Sequence, residues 1–464
     1  MALRPYSEFR KQFTKKNLHL IYSEISEKSG ATGLDGINHH SFTSNLDREL
    51  NTIIRKTFNG TYNFTQYKEK LVLKGATKYP RQISIPSIRD RVCLKAISQC
   101  LFKVYSKDIG LEIPQIKIEK LNRELKTSNY TCFIKVDIKN FYPSIDHTIL
   151  ESKIKRKFRK DISRNLFLKA LKTSTSARPD KNLSANSIGI PQGLSISNIL
   201  AEMYISCIDN LMSKEKCFYL RYVDDILILC NRKDIKPIYE KLYHELGNIS
   251  LSCHELGVDK EKTHTGNIDD KFTYLGYLVS GSKITVKPNS VKNLEASIAK
   301  IFTTYKYKNE IIRSRRLSLD IESLELEKNR KILEWRLNLR ITGCIFDDTK
   351  RGWIFYFSQI NDLPLLHKID STVRKLSERF DVENKIRIKK LVKTYHEAKI
   401  IDKSDHKYII NFDSYSTKQK REVLVMYLGA KSIKTLSDEK VERLFGNRIS
   451  TIIKELESDI GSRS

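Results

Sequence analysis

The chain has 464 residues, which is enough for two or three domains with hydrophobic cores. A hydrophobic content of 40% excludes wholesale disorder, and 84 lysines and arginines against 55 acids give a formal net charge of +29. Such a positive excess favours a polyanionic partner such as nucleic acid. No stretch reaches the roughly 18 to 20 apolar residues of a membrane span, and the N-terminus lacks the apolar segment of an export signal. We therefore expect a cytoplasmic protein with no membrane partner.

The eight cysteines include no Cys-x-x-Cys pair, so nothing indicates a zinc ribbon or zinc knuckle. Most of them lie in apolar surroundings. This is typical of small core residues in a reduced, cytosolic protein.

The first 130 residues show mixed helix and strand patterns with two distinctive segments, Gly33-Leu-Asp-Gly-Ile37 and Pro80-Arg-Gln-Ile-Ser-Ile-Pro-Ser-Ile-Arg-Asp-Arg-Val92. A helical pattern follows over residues 95–105. Arg89 and Arg91 allow two interpretations at this level. They either hold a nucleic-acid backbone or form structural ion pairs with Asp90 and its neighbours.

Asp137 lies at the end of an apolar, strand-like stretch that begins at Phe133, and Pro143 ends the extended run. A polar segment, residues 173–187, then predicts a loop. It leads into Gly189-Ile-Pro-Gln-Gly-Leu-Ser-Ile-Ser197 and an apolar, helix-like stretch over residues 198–211.

Two adjacent carboxylates, Asp224 and Asp225, interrupt the apolar run of residues 218–230. This pattern predicts a hydrophobic β-hairpin with the acids at its tight turn. Neighbouring carboxylates beside a core are unfavourable unless a positive charge lies between them, and a divalent metal ion is the simplest such charge. The alternative is a solvated Asp-Asp turn.

In order, these are a strand with one aspartate, a Gly/Pro loop before a helix, and a Tyr-Val-Asp-Asp hairpin. This order resembles motifs A, B and C in the palm of reverse transcriptases. Further segments are similar to motifs of the group II intron-type members: an N-terminal motif (33–37), a fingers motif (80–92), motif D (254–263) and the motif E primer grip (272–279). The resemblance covers residues 30 to 280 and is closest to free-standing defence-associated or abortive-infection reverse transcriptases.

The resemblance implies an α+β, right-hand polymerase fold: fingers, a palm with an antiparallel sheet, a helical thumb and a helical C-terminal extension. The expected boundaries are 1–130, 131–289, 290–380 and 381–464. Pro288-Asn-Ser290 marks the end of the palm, and a long, charged helical pattern follows over residues 291–339.

Nucleotidyl transfer develops negative charge that two divalent ions about 4 Å apart stabilise. Mg²⁺ prefers hard oxygen ligands, and Mn²⁺ is the alternative ion. We expect Asp137 and Asp224 to bridge both ions, with Asp225 as a supporting carboxylate. Taken alone, Asp137 also suits a helix N-cap.

The resemblance also implies contacts with the incoming dNTP. Tyr142 corresponds to the steric gate under the sugar, although a core aromatic is the alternative. Gln192 matches a residue that contacts the nucleotide near its sugar, and Gly193 allows a close backbone approach unless it only forms a loop-to-helix turn. Arg81 matches the clamp of the triphosphate, with Lys78 as a second candidate.

Lys262 matches the motif D lysine that protonates the leaving pyrophosphate, and a solvated lysine is the alternative. Nucleic-acid contacts are expected from fingers, primer-grip and thumb residues. These residues are Arg89, Arg91, Tyr274, Gly276, Arg313, Arg315 and Arg316. For the basic run at residues 313–316, a solvated helix face is the alternative.

The implied function is RNA-directed DNA synthesis on a template RNA, with a non-coding RNA and a role in anti-phage defence as the finer hypothesis. We find no RNase H acid set, no HNH-type or Cys-rich endonuclease segment and no Asn-Ala-x-x-His retron signature. A group II intron maturase-like or retron-like enzyme is the alternative. A catalytically silent RNA-binding scaffold is another, against which the intact acids argue. Homo-oligomers occur in the family and are allowed for here.

Overall fold

The computed structural model describes residues 4–27, 30–73, 79–257, 262–400 and 406–460. By packing, the chain divides into two compact units. The first contains the residues up to 112 together with 130–268, and the second contains 113–129 together with 269–463. The functional boundaries expected at 130, 289 and 380 differ from this division and stay predictions.

Helices and strands alternate irregularly along the chain. The helices are α1 (Pro5–Gln12), α2 (Lys15–Glu27), α3 (His39–Thr43), α4 (Leu46–Phe58), α5 (Ile88–Tyr105), α6 (Pro114–Thr127), α7 (His147–Lys157), α8 (Asp161–Lys172), α9 (Ser197–Met212), α10 (Ile235–Asn248), α11 (Pro288–Ser314), α12 (Leu319–Thr342), α13 (Trp353–Tyr356), α14 (Leu363–Arg379), α15 (Leu391–Ala398), α16 (Thr417–Leu428), α17 (Ala430–Lys434) and α18 (Asp438–Glu457). The strands are β1 (Tyr67–Val72), β2 (Arg81–Ile85), β3 (Cys132–Asp137), β4 (Thr175–Ser176), β5 (Phe218–Tyr222), β6 (Asp225–Cys230), β7 (His264–Asn267), β8 (Phe272–Tyr274), β9 (Tyr277–Ser280), β10 (Lys283–Val286), β11 (Cys344–Phe346), β12 (Thr349–Arg351) and β13 (Ile410–Asn411).

The first unit is built on a four-stranded antiparallel sheet in the order β5-β6-β3-β7. Its central strands β3 and β6 are buried along almost their whole length, and helices α9 and α10 pack against the sheet. Continuous apolar runs are typical of strands that are covered on both faces. The predicted strand at 133–137 and the predicted hairpin at 218–230 are thus both present.

A smaller sheet, in the order β2-β1-β4, lies in the same unit beside α5. Helix α5 begins at Ile88, seven residues before the predicted helical stretch, because the Ser87 side chain accepts a hydrogen bond from the Asp90 backbone N–H and caps the helix. Helix α9 matches the predicted stretch 198–211 to within one residue at each end. The core joins α5, α9 and the buried faces of β3 and β6.

The second unit contains two three-stranded sheets, β10-β9-β8 and β12-β11-β13, among helices. The long helical pattern predicted over 291–339 forms two helices, α11 and α12, which pack together. Arg316, with a φ of +50°, lies in the turn between them. In the last part of the chain, α16, α17 and α18 surround a core with Phe412 and Phe445, as the predicted amphipathic helices require.

Both units contain helices and small sheets whose strands pair mostly antiparallel, so the α+β class is confirmed. Within the described part of the chain, no helix is both long and apolar enough to cross a lipid bilayer.

Candidate functional site

Strands β5 and β6 meet in a two-residue turn that presents the acid pair. Tyr222 pairs with Asp225 across the hairpin, which leaves Val223 and Asp224 as the turn. Val223 has a φ of +57°, a left-handed conformation that β-branched residues rarely adopt. Asp224 therefore lies at the tip, and Asp225 is the first residue of β6.

Asp137 reaches this turn from the neighbouring strand. It is the last residue of β3, and its partner in the antiparallel register is Asp225. Immediately after it, the backbone N–H of Ile138 donates to the carbonyl oxygen of Asp224 at 3.0 Å. Strand pairing therefore brings Asp137 to the same end of the sheet as the adjacent pair Asp224 and Asp225, although it is distant from them in sequence.

Basic side chains contact two of these carboxylates. The Nζ atom of Lys262 lies 2.9 Å from Oδ2 of Asp137, and Nε2 of His254 lies 3.6 Å from the same oxygen and 3.2 Å from Lys262 Nζ. On the other side, Nζ of Lys135 lies 3.8 Å from Oδ1 of Asp225. Lys262 thus contacts Asp137 directly, and its expected role as proton donor to the pyrophosphate stays a prediction.

His254 and Lys135 were not assigned roles in the sequence. A signal was present for Lys135, which is the one cation in the otherwise apolar strand β3 and is largely buried. Because a buried lysine needs a negative partner, it pointed to a nearby carboxylate. His254 lies within the motif D-like segment but carries no signal of its own.

The three aspartates suit a divalent cation by their chemistry, because carboxylate oxygens are hard ligands, and by their placement at one end of the sheet. They do not form a ready-made cage: in the described residues, no three of His, Cys, Asp and Glu stand in a metal-ligating group. The Asp137 carboxylate contacts Lys262 instead. Binding an ion at Asp137 would therefore require that this carboxylate exchange partners.

Tyr142 lies beside the acids in the short turn Tyr142–Ser144 that follows β3. Its Oη donates to Oδ1 of Asn198 on α9 at 3.5 Å. Burial, and after it the negative charges of Glu202 and Asp224, raise the pKa of Tyr142 to about 12, while Arg81 opposes this shift. The phenol is therefore neutral at physiological pH and lies close to both the acid turn and Arg81.

The loop before α9 is anchored on the backbone next to Tyr142. The N–H of Ile190 donates to the carbonyl of Tyr142 at 2.9 Å, and the N–H of Gly189 donates to that of Ile145 at 2.8 Å. The carbonyl of Gln192 in turn accepts from the N–H of Ser84 on β2 at 2.7 Å. These bonds fix the loop between the steric-gate candidate and the strand that begins with Arg81.

Gly193 is required by this packing. Its φ is +99°, and a Cβ at this position would lie 2.7 Å from Cγ2 of Ile83 and 3.2 Å from the carbonyl oxygen of Ser84. The close neighbour of Gly193 in the structure is thus strand β2, and the expected close approach of the nucleotide stays a prediction. On β2 itself, Nε of Arg81 is buried and has no hydrogen-bond partner among the described residues.

The other predicted fingers residues are Lys78, Arg89 and Arg91. Lys78 lies outside the described residues, as does part of the motif D segment. Arg89 pairs with Glu49 at 2.5 Å, and Nε of Arg91 donates to the carbonyl of Pro86 at 3.0 Å. The Asp90 carboxylate accepts hydrogen bonds from Tyr62, Thr65 and Ser87. Arg89 thus forms a structural ion pair with Glu49, whereas Arg91 bonds a backbone carbonyl, and nucleic-acid contact by either arginine stays a prediction.

Residues of the second unit require one correction. Tyr274 is fully buried, so its side chain does not face a nucleic acid as expected. Gly276, with a φ of +81°, forms the turn between β8 and β9 with Leu275. Arg313, Arg315 and Arg316 are exposed at the end of α11, where the expectation of nucleic-acid contact stays a prediction.

An antiparallel sheet that presents three aspartates beside a partly buried tyrosine agrees with the polymerase palm that the sequence resembles. Residues 68–279 match the family model described as reverse transcriptase (RNA-dependent DNA polymerase). Residues 68–279 thus carry a reverse transcriptase domain that is similar to those of group II intron-encoded proteins. Enzymes with this domain use divalent metal ions.

Relatives support this assignment within the same region. The chain is 24% identical over 253 residues to the group II intron-encoded protein LtrA of Lactococcus lactis subsp. cremoris, which covers 53% of this chain and 40% of that protein. It is 23% identical over 269 residues to a COX1/OXI3 intron 1 protein of Saccharomyces cerevisiae, covering 53% and 29%. The chain thus spans less than half the length of the curated relatives that it matches.

Among solved structures, apo telomerase from Candida tropicalis is similar with a TM-score of 0.41 and 14% identity, covering 88% of this chain and 74% of that one.

Proposed function

We propose that this protein is an RNA-directed DNA polymerase that makes DNA from dNTPs on a template RNA. The observation that carries the proposal is the strand register that places Asp137 opposite Asp225 and bonds the residue after Asp137 to Asp224. This register lies within the segment that matches the reverse transcriptase family. A silent scaffold has no need for three carboxylates at one end of a buried sheet.

Two divalent ions, Mg²⁺ or alternatively Mn²⁺, would stabilise the charge that develops between the primer hydroxyl and the leaving pyrophosphate. Asp137 and Asp224 are the residues that we propose hold both ions, and Asp225 supports them. Lys262 would then leave Asp137 and donate a proton from its Nζ atom to an oxygen of the leaving pyrophosphate. His254, which lies 3.2 Å from this nitrogen, keeps the lysine near the site.

The dNTP would lie between Tyr142, Arg81 and the loop that carries Gln192. The ring of Tyr142 excludes a 2′-hydroxyl, and the buried Nε of Arg81 offers a donor to a phosphate oxygen. Because the phenol of Tyr142 is neutral, it does not repel the triphosphate. The backbone bond between Ser84 and Gln192 holds the two sides of this pocket together.

The biological role that we propose is anti-phage defence in the cytoplasm of a bacterium, with a non-coding RNA as template. This follows from the resemblance to free-standing defence-associated enzymes. The similarity to LtrA supports a second candidate, an intron maturase-like enzyme whose partner is an intron RNA. Sequencing the nucleic acids that co-purify with the protein, before and after phage challenge, distinguishes the two, because each role predicts a different bound RNA.

The activity itself is tested with purified protein, a primed RNA template, dNTPs and Mg²⁺. We expect Asp224→Ala to lower DNA synthesis at least about 1,000-fold, since residues that act as a unit lose most of their effect together. The control is Asp381→Asn, which removes an exposed negative charge paired with Lys385 four residues away and tolerates the φ of +54° at this position. Equal product from Asp224→Ala and wild type would refute the polymerase proposal.

A further inference from the structure

Arg221 lies in β5, two residues before the acid turn, and its side chain is fully engaged in hydrogen bonds. Its side chain is 4% exposed. A guanidinium group has five N–H donors, and the guanidinium of Arg221 donates five hydrogen bonds. They run from Nε to Asp209 Oδ1 (2.8 Å), from Nη2 to Asp209 Oδ2 (2.7 Å) and Glu202 Oε2 (2.6 Å), and from Nη1 to Glu202 Oε1 (3.1 Å) and the Val223 carbonyl (2.9 Å).

The fifth of these bonds reaches the acid turn itself. The carbonyl of Val223 belongs to the peptide that leads into Asp224, and the carbonyl of Asp224 accepts from Ile138. Asp224 is therefore held by one bond on each of its two peptide groups. Since Val223 is in a left-handed conformation that its branched side chain disfavours, the turn depends on such external bonds to keep its shape.

The other four bonds anchor Arg221 on α9. Glu202 and Asp209 are seven residues apart, two helical turns, and so lie on one face of the helix. Oη of Tyr219 also donates to Asp209, at 2.9 Å, and reinforces the anchor. Burial by itself would lower the pKa of Arg221, but the bonds to Asp209 and Glu202 raise it well above its usual range. The guanidinium thus stays charged between its two carboxylates.

We propose that Arg221 is a positioning residue for the metal-binding turn, which it ties to α9 through Glu202 and Asp209 so that Asp224 is presented to the divalent ions. Arg221 acts from the buried side and touches neither nucleotide nor ion. Lysine cannot replace it, because one ammonium group does not reproduce a planar fork that reaches three separate acceptors. This inference rests on the proposed polymerase function.

The test compares Arg221→Lys with a matched control, Arg340→Lys. Arg340 is likewise buried, pairs with Asp459 at 2.6 Å and donates to a backbone carbonyl, but it belongs to the second unit. Binding of Mn²⁺ is titrated by electron paramagnetic resonance without RNA or dNTP. DNA synthesis is then measured against Mg²⁺ concentration and against dNTP concentration.

We expect Arg221→Lys to weaken Mn²⁺ binding about 10-fold, since partners that orient metal ligands typically matter to this degree. The half-saturating Mg²⁺ concentration should rise by a similar factor, while the KM for dNTP stays within about twofold because no nucleotide contact is lost. Arg340→Lys should leave Mn²⁺ binding, the half-saturating Mg²⁺ concentration and the KM for dNTP unchanged. Unchanged Mn²⁺ binding in Arg221→Lys, or equal weakening in the control, would overturn the inference.

If Arg221→Lys fails to fold, as shown by its circular dichroism, Asp209→Asn carries the test. This variant keeps one acceptor oxygen and removes one anchoring charge, so we expect roughly threefold weaker Mn²⁺ binding, and an unchanged affinity would again overturn the inference. The two proposals fail in different ways. If the wild type makes no DNA but Arg221→Lys weakens its Mn²⁺ binding, only the polymerase function is contradicted. If the wild type makes DNA but Arg221→Lys leaves Mn²⁺ binding unchanged, only the positioning role is contradicted.

Discussion

Two hairpin turns in this chain solve the same backbone problem by different means. The acid turn, Val223-Asp224, and the turn at Leu275-Gly276 each join two antiparallel strands and begin with a bulky residue at positive φ. In each, a side chain donates to the carbonyl of that residue: Arg221 to Val223 at 2.9 Å and the Oη of Tyr356 to Leu275 at 3.1 Å.

The second position sets the two turns apart. Gly276 accepts its φ of +81° at no steric cost, so the Leu275-Gly276 turn follows from its own sequence. In the acid turn only the first residue, Val223, has a positive φ, and Arg221, which is bonded to α9, donates to its carbonyl. We conclude that the acid turn depends on a buried network from outside the hairpin, whereas glycine favours the Leu275-Gly276 turn locally.

The largest expected effect on activity is that of Asp137→Asn, which tests whether the acid turn serves catalysis. We expect DNA synthesis to fall at least about 1,000-fold, because an amide is a poor ligand and a poor partner for Lys262. The free energy of unfolding should change by less than about 1 kcal/mol, because the lost pair is partly exposed. Primer extension and denaturant unfolding measure the two quantities.

The matched control for Asp137→Asn is Asp362→Asn, which removes an acid paired with Lys283 at 3.3 Å beside the other hairpin. It should keep full activity. If instead Asp137→Asn remains active and loses stability, the acid turn is structural and the contrast between the two turns disappears.

Gly276→Val should produce the largest loss of stability, about 2 kcal/mol, because it places a β-branched residue at a positive φ in a turn that depends on glycine. The reciprocal change, Val223→Gly, removes such a residue and should alter the free energy of unfolding by less than half as much. Urea unfolding of both variants sharpens the comparison, and equal losses would contradict it.

Tyr142→Ala should increase the use of rNTPs relative to dNTPs about 10-fold, because a pocket that loses a bulky wall discriminates less. Tyr142→Phe is its control: it keeps the ring and loses only the 3.5 Å bond to Asn198, so sugar discrimination should persist. Single-nucleotide incorporation with each substrate measures the ratio. Unchanged discrimination in Tyr142→Ala would remove this residue from the steric-gate role.

The smallest expected effect is one of pH. The pKa of Tyr142 is raised to about 12, so the native protein holds this proton more tightly than the unfolded chain. Its contribution to stability is complete below about pH 10 and is lost as the pH rises from about 10 to 12. Between pH 6.5 and 9 we therefore expect constant sugar discrimination in incorporation assays, and a drift that Tyr142→Phe abolishes would contradict this.

Much of the first unit was predictable because its signals are local. The apolar runs of β3 and of the β5–β6 hairpin, and the boundaries of α9, follow from patterns of a few residues. The turn between α11 and α12 was not predictable, since residues 315–318 contain neither glycine nor proline and the helical pattern runs through them. Arg316 adopts its positive φ there without a sequence signal.

The site was predictable in its acids and not in their partners. Asp137, Asp224 and Asp225 follow from motif and strand position, whereas Arg221 and Lys135 acquire their meaning only from partners far along the chain. The burial of Tyr274 and the contact of Gly193 with β2 are likewise properties of tertiary packing. Spacing in the sequence gives no access to such neighbours.

The pairing of Asp137 with Lys262, and of Asp225 with Lys135, has a consequence for assembly. Two of the three acids have their counterions within the chain, so the sheet can form before any ion arrives. On the proposed function, folding and activation are then separate events, and a folded but inactive protein exists before the ions bind. Chelation should switch such a protein off and leave it intact, ready to be started again by a change in its ionic surroundings.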